Sequence, residues 1–238
     1  DNVGSYEFLP SGFTGSIWNI LSPQSFNLKV NFNKLQDEIC LNQARFIYET
    51  KQDLEIADSS KFLIDQKGNP INRKPYEGNK FQVSLSTNDF DVMGYEALNT
   101  QKYLDLTSTG LNNSRDFFKP LRKSKKFKFE KGKFYIMASK EKIVVPPEYS
   151  IEMVPASHFH GEIRVHYAGF FDPGFGYPNG NIAVFEIRAY EDITVEDGQP
   201  ICWIEVLKNS RLPSINYSNK DGKNYAEQQG PKLAKYFY

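Results

Sequence analysis

The chain has 238 residues, 39% hydrophobic and 15% aromatic, with 29 basic and 29 acidic side chains for a net charge of +0. That length accommodates one large or two ordinary domains, and the even charge balance argues against a bulk nucleic-acid or polyanion binder. No apolar run is long enough to span a bilayer as a helix, no signal peptide is visible, and two isolated cysteines, Cys40 and Cys202, suit a reducing cytosol better than a disulfide framework.

Residues 1–48 contain strand-like runs at 16–21, 26–32 and 39–48, separated by Pro10-Ser11-Gly12 and Ser22-Pro23. This is too little sequence to close a β-domain, so it reads as the C-terminal part of one. The chain begins at Asp1 without Met and is expected to be a fragment or a processed form. Residues 49–80 are polar and hold the turn clusters Lys67-Gly68-Asn69-Pro70 and Tyr76-Glu77-Gly78-Asn79. They predict a linker with a short helix near 52–62.

From 81 to 238 strand signals return, at 81–86, 92–97, 103–107, 133–138, 142–145, 149–154, 162–168, 181–190 and 200–208. Many short runs with frequent Gly, Pro and Asn turns predict an all-β domain, an antiparallel sandwich or barrel. One helical turn is expected at 116–121. The lysines of 119–133, interleaved with Phe127 and Phe129, predict a solvated hairpin with the aromatic rings turned inward.

An internal repeat is present. Gly12-Phe13 and Gly174-Phe175, and Ile39-Cys40 and Ile201-Cys202, are each 162 positions apart. Both copies read turn, strand, turn, strand, turn, strand between these anchors. The spacing predicts two tandem β-domains, the first truncated in this chain.

The stretch 161–188, GEIRVHYAGFFDPGFGYPNGNIAVFEIR, reads as strand, tight connection, strand. In the first strand Ile163, Val165 and Tyr167 share one face, and Arg164 and His166 the other. In the second, Ala183, Phe185 and Ile187 share a face, while Ile182, Val184, Glu186 and Arg188 share its opposite. The charged face is either a solvated surface or a site. Glu186 lies mid-strand, where a carboxylate is costly unless it is paired or exposed. Restricted solvation would raise its pKa and suit it to moving protons. An ion pair with Arg164 or Arg188 is the structural alternative.

Several chemistries are excluded. His160-Gly161-Glu162 matches the H-x-E half of a zinc-deaminase signature, but neither cysteine supplies the P-C-x-x-C half. His158 and His160 have no evident third metal ligand. No Walker loop, dinucleotide fingerprint or G-x-S-x-G elbow occurs. The C-terminal stretch GKNYAEQQGPK at 222–232 is polar, cationic and bounded by glycine. It reads as a cover for a phosphorylated ligand or as a frayed end.

These residues resemble a known family, the dCTP deaminases of the trimeric dUTPase-like superfamily, in their long two-domain bacterial form. The likeness rests on VHYAGFFDPGFG at 165–176, AVFEIR at 183–188, NYAEQQGPKLAKYF at 224–237, FYIMASKE at 134–141 and VPPEYSIEMVP at 145–155. SGFTG and LNQARF carry it in the first copy. It covers most of the chain outside 50–80.

The resemblance implies tandem distorted β-barrel or jelly-roll domains. It also implies hydrolysis of the 4-amino group of dCTP to dUTP and ammonia without zinc, within dUTP and dTTP biosynthesis. Magnesium accompanies the triphosphate, and the protein is expected to be a cytoplasmic homo-oligomer that binds dCTP-, dUTP- or dTTP-type nucleotides and no membrane. Glu186 falls on the family's water-activating glutamate and Ala168 on the alanine beside the pyrimidine. Tyr225, with Gln228 or Gln229, falls on the tail that covers the nucleotide. The expected substrate-binding set is His166, Tyr167, Ala168, Phe170, Asp172, Arg188, Tyr225, Gln228, Gln229 and Lys232.

The chain also departs from the family. Where an S-S-x-x-R phosphate and catalytic motif is expected, it has Val154-Pro155-Ala156-Ser157-His158-Phe159. Phe170 stands where single-domain members carry arginine, and Ile20 occupies the glutamate position of the first copy. The Ser-Arg motif is therefore expected upstream of Asp1, forming a hybrid site with the second hairpin. Two competing expectations remain. One is a dUTP diphosphatase using Asp172 in the hairpin turn; the other is a nucleotide-binding module without turnover.

Overall fold

The structure, a computed structural model, describes residues 12–16, 25–30, 54–155, 163–165, 169–217 and 228–238. The expected strands at 16–21 and 39–48 and the Ile39-Cys40 anchor lie wholly or largely outside them.

Among the described residues the chain forms β1 (Asn27–Lys29), β2 (Leu63–Ile64), β3 (Lys80–Ser86), β4 (Val92–Ala97), β5 (Tyr103–Asp105) and a 3-10 turn at Ser114–Asp116. There follow β6 (Phe118–Arg122), β7 (Lys126–Phe129), β8 (Phe134–Ile143), β9 (Tyr149–Pro155), β10 (Ile163–Val165), β11 (Phe170–Phe171), β12 (Asn181–Ala189), β13 (Ile193–Glu196) and β14 (Pro200–Lys208). The all-β expectation holds.

The main sheet runs β10-β12-β8-β3-β14-β9-β11, with β2 and β4 also pairing β8, and β6 pairing β4. β10 and β11 stand at opposite ends of this order, yet only residues 166–169 join them in sequence. The five Cα-to-Cα steps from Val165 to Phe170 reach no more than about 18 Å when fully extended, so the sheet must curl until its two ends approach. The inward faces then enclose one core. Phe81, Val83, Tyr135, Phe185, Ile187 and Ile204 are all fully buried within it.

Alternation builds the strands that carry the site. In β12, Ala183, Phe185, Ile187 and Ala189 are buried, while Glu186 is exposed and Val184 and Arg188 are half-buried. In β8, Tyr135, Met137, Ser139, Glu141 and Ile143 all face inward. Two of these five are polar, and both are satisfied. Ser139 Oγ donates to the Glu141 carbonyl at 2.6 Å and accepts from Ala183 N at 2.9 Å. It thereby fills the gap where the β8–β12 register shifts between Ile182 and Val184. Glu141 Oε1 pairs with Arg73 Nη2 at 2.5 Å, and its Oε2 accepts from Ser84 N at 2.8 Å. One predicted break at 139–141 is thus no break, and the runs at 133–138 and 142–145 are a single strand.

The structure corrects four further expectations. The described part of the expected linker, 54–80, belongs to the β-domain: β2 pairs β8, and Phe62 and Leu63 are buried in the core. The helical turn expected at 116–121 is the 3-10 turn followed by β6. The lysine-rich hairpin at 119–133 is two strands with different partners, since β6 pairs β4 and β7 pairs β13. Phe129 does turn inward, packing on Phe127 at 5.0 Å and on Tyr135 at 4.9 Å.

The fourth correction concerns the connection between β10 and β12. The two strands pair antiparallel as expected, with Arg164 opposite Arg188. Their connection is not tight, because β11 leaves to pair with β9 before the chain returns. The return needs Gly176, whose φ is +64°. A Cβ there would sit 2.3 Å from the Ile143 carbonyl oxygen, so no other residue fits.

Candidate functional site

β12 is clamped between β10 and β8, and Glu186 stands opposite Ile136 of β8. Its neighbours Phe185 and Ile187 point into the core, so alternation sends the Glu186 side chain outward. The carboxylate is exposed rather than sequestered; the restricted solvation considered for it is absent in this chain.

Arg188 lies two residues further along the same face. Its Nη1 donates to the Gly132 carbonyl at 3.2 Å and its Nη2 to Ser25 Oγ at 3.3 Å, and the guanidinium sits 5.6 Å from the Phe134 ring centre. Arg188 is therefore oriented from two sides, one of them the N-terminal segment that carries β1. Sequence reasoning had no signal for the Ser25 contact.

Asp172 begins the turn after β11, and its carbonyl accepts from Phe175 N at 2.9 Å. Phe170 is half-buried and pairs with Glu152 of β9. Both therefore sit on the β9 side of the curled sheet, not on β12. Gln228 is buried, and its Nε2 donates to the Ile182 carbonyl of β12 at 3.4 Å. Gln229 and Lys232 are exposed. His166, Tyr167, Ala168 and Tyr225 lie outside the described residues. The structure thus places Glu186 and Arg188 on β12, bonds Gln228 of the C-terminal segment to the Ile182 carbonyl of the same strand, and leaves Phe170 on β11 with Asp172 in the turn after it.

The described C-terminal residues are docked rather than frayed. Tyr236 O accepts from Asn112 N at 3.0 Å, and Tyr238 N donates to Asn112 O at 2.9 Å. Phe237 packs edge-on against Phe117 and Phe118 at 5.7 and 5.3 Å. Gly230 lies against the Phe90 ring, where a Cβ would meet Cδ1 at 3.2 Å.

Among the described residues no group of three or more His, Cys, Asp and Glu is placed to hold a metal ion. Cys202 is buried, and that burial pushes its thiol pKa up, so it is a packing residue there. No described helix is long and apolar enough to cross a membrane.

The sequence matches the family described as 2'-deoxycytidine 5'-triphosphate deaminase (DCD), C-terminal domain, over residues 50–237. Among solved structures it is similar to the 2'-deoxycytidine 5'-triphosphate deaminase from Agrobacterium tumefaciens. The identity is 32%, over 56% of this chain and 43% of that one, with a TM-score of 0.53. The chain thus spans less than half the length of that relative. A dUTPase from phage phi11 of S. aureus overlaps at a TM-score of 0.30 with 9% identity, over 38% of this chain and 77% of that one. That overlap is too slight to carry an argument. A comparison with curated protein sequences gives no match. The family match begins at residue 50, ahead of β2, and runs to the docked C-terminal segment. It therefore takes in every strand of the main sheet, and the chain belongs to the 2'-deoxycytidine 5'-triphosphate deaminase C-terminal domain family.

Proposed function

We propose that this chain supplies the proton-shuttling half of a dCTP deaminase site. The observation that carries the proposal is the placement of Glu186: an exposed carboxylate in the middle of a strand whose neighbours are locked into the core. Held this way, the backbone of Glu186 is fixed and its side chain is directed away from the core. Deamination needs a base as water attacks C4 of the cytosine ring and an acid as the C4–N4 bond breaks. Glu186 accepts one proton from water and delivers it to the departing nitrogen, which leaves as ammonia; the second water proton ends on N3 as the C4 carbonyl forms. Arg188 lies two residues along the same strand, and Gln228 bonds that strand at the Ile182 carbonyl. His166, Tyr167, Ala168, Phe170, Asp172, Tyr225, Gln229 and Lys232 complete the nucleotide contacts in this reading.

Glu186 needs a drier setting than this chain gives it. In the proposed assembly a neighbouring subunit or domain supplies the Ser-Arg segment, covers the face of β12 and excludes water. The tandem division, a partial domain at 1–48 ahead of a second one, is part of the same reading, and the 162-residue repeat supports it. Residues 54–80, which carry β2, belong to the second domain in this reading. Magnesium arrives with the triphosphate as part of the substrate, zinc takes no part, and the setting is the cytoplasm.

The test is Glu186→Gln in the full-length protein. The amide keeps the shape but cannot take the proton. Ammonia release from dCTP should fall by about 10²–10⁴-fold with dCTP binding retained. Near-normal deamination by a well-folded variant removes Glu186 from the mechanism. Pyrophosphate from dUTP, with no ammonia from dCTP, would point instead to a diphosphatase using Asp172. Binding without either product would indicate a non-catalytic module.

A further inference from the structure

Asn112 is buried, and every polar group it has is used. Its side-chain Nδ2 donates to the Asp105 carbonyl at 2.8 Å and to the Tyr236 carbonyl at 2.9 Å, and its Oδ1 accepts from Asp105 N at 2.8 Å. Its main chain bonds Tyr236 O and Tyr238 N, and the bridge from Asn112 to Phe237 runs parallel. On either side, Gly110 N donates to Lys235 O at 3.0 Å and Ser114 N to Tyr238 O at 3.2 Å. One amide side chain thus ties the end of β5 to the last residues described. Those residues continue back, past the Gly230–Phe90 contact, to Gln228 on the Ile182 carbonyl of β12. Glu186 lies four residues along that strand.

We propose that Asn112 is a positioning residue for the nucleotide site: it fastens residues 235–238 so that Gln228 is held on the Ile182 carbonyl of β12, the strand that carries Glu186. The proposal rests on the deaminase reading above. Its energetic logic is that of populations. A ligand that needs the docked segment binds with a Kd raised by the inverse of the docked fraction. Loosening the fastening therefore raises KM, while saturating nucleotide restores the docked form and keeps kcat.

Asn112→Asp tests this. The carboxylate is nearly isosteric but has no donor, so it loses both Nδ2 bonds and faces two carbonyl oxygens. The expected result is a KM for dCTP raised about tenfold or more with kcat changed little. Faster amide hydrogen exchange should be confined to 228–238, with 181–189 unchanged. Removing residues 235–238 should give the same KM, and combining both changes should add nothing further.

An unchanged KM overturns the proposal. So does a fall in kcat with exchange rising through the whole sheet, the mark of a merely structural residue. If the parent protein does not deaminate dCTP, the functional reading falls by itself. The fastening is then judged on exchange alone, and unaltered exchange at 228–238 in the variant refutes it.

Discussion

Polar side chains in the core face of β8 decide more than their number suggests. Glu141 is almost fully buried, and its two oxygens are taken by Arg73 and by Ser84 N. Arg73 also donates to the Gln82 carbonyl, so the pair staples residue 73 to both β3 and β8. Glu141→Ala leaves Ser84 N without an acceptor in a dry site and strips Arg73 of its counter-charge. Equilibrium denaturation should show a loss of about 3 kcal/mol, the low end for breaking a buried pair because Arg73 remains partly solvated. A loss below about 1 kcal/mol would mean that water replaces the carboxylate. The same residue shows why the sequence is hard to read at this point. Ser139-Lys140-Glu141-Lys142 looks like a break because four polar residues follow one another, and only the partners at Arg73, Ser84 and Ala183 reveal an unbroken strand. Glu186 was legible for the opposite reason: Phe185 and Ile187, the large apolar residues on either side of it, mark the opposite face of the strand.

Among the elements, β1 is attached to the rest by a parallel pairing with β5 and by the Lys29–Asp105 ion pair at 2.6 Å. Phe26, just before β1, packs edge-on against Phe117 and Phe118 at 5.1 and 5.3 Å. The hydrogen bond from Lys29, followed by those from Thr107, holds the Asp105 carboxyl down to about 2 from its ordinary 3.8. A carboxyl lowered by folding contributes stability that is complete above 3.8 and disappears as pH falls through about 2. The parent should therefore melt above Lys29→Met at pH well over 3.8, and the gap should close by about pH 2. A gap independent of pH would show that the pair contributes nothing through charge.

Other elements escaped the sequence for equally local reasons. β6, where one helical turn was expected, contains Pro120; among the described residues β6 pairs only with β4, and an edge strand tolerates a residue without an N–H. The lysines of β7 find their acids across a gap in sequence, Lys126 with Glu196 and Lys128 with Asp192. No local pattern reveals that pairing. The polar composition of 50–80 concealed Phe62 and Leu63, which are buried in the core, and Leu54, Ile56 and Ile71, which pack against it.

At the scale of the whole molecule, strand order and chain order disagree throughout the main sheet, and the widest jump is between β3 and β14. β14, the last strand, lies between β3 and β9, pairing with both. Its inward residues Cys202, Ile204 and Val206 are fully buried. This has a consequence for synthesis on the ribosome. Until residues 200–208 emerge, β3 and β9 each present an unpaired edge, and the apolar floor between them is open to water. The domain cannot close progressively from its N-terminus; it must wait for β14 and then insert it between strands already made. Nascent chains arrested with residues 1–190 outside the exit tunnel should stay sensitive to protease and bind holdase chaperones. Chains extended past 217 should become resistant in a single step. A gradual gain of resistance during elongation would mean that β3 and β9 find another partner first.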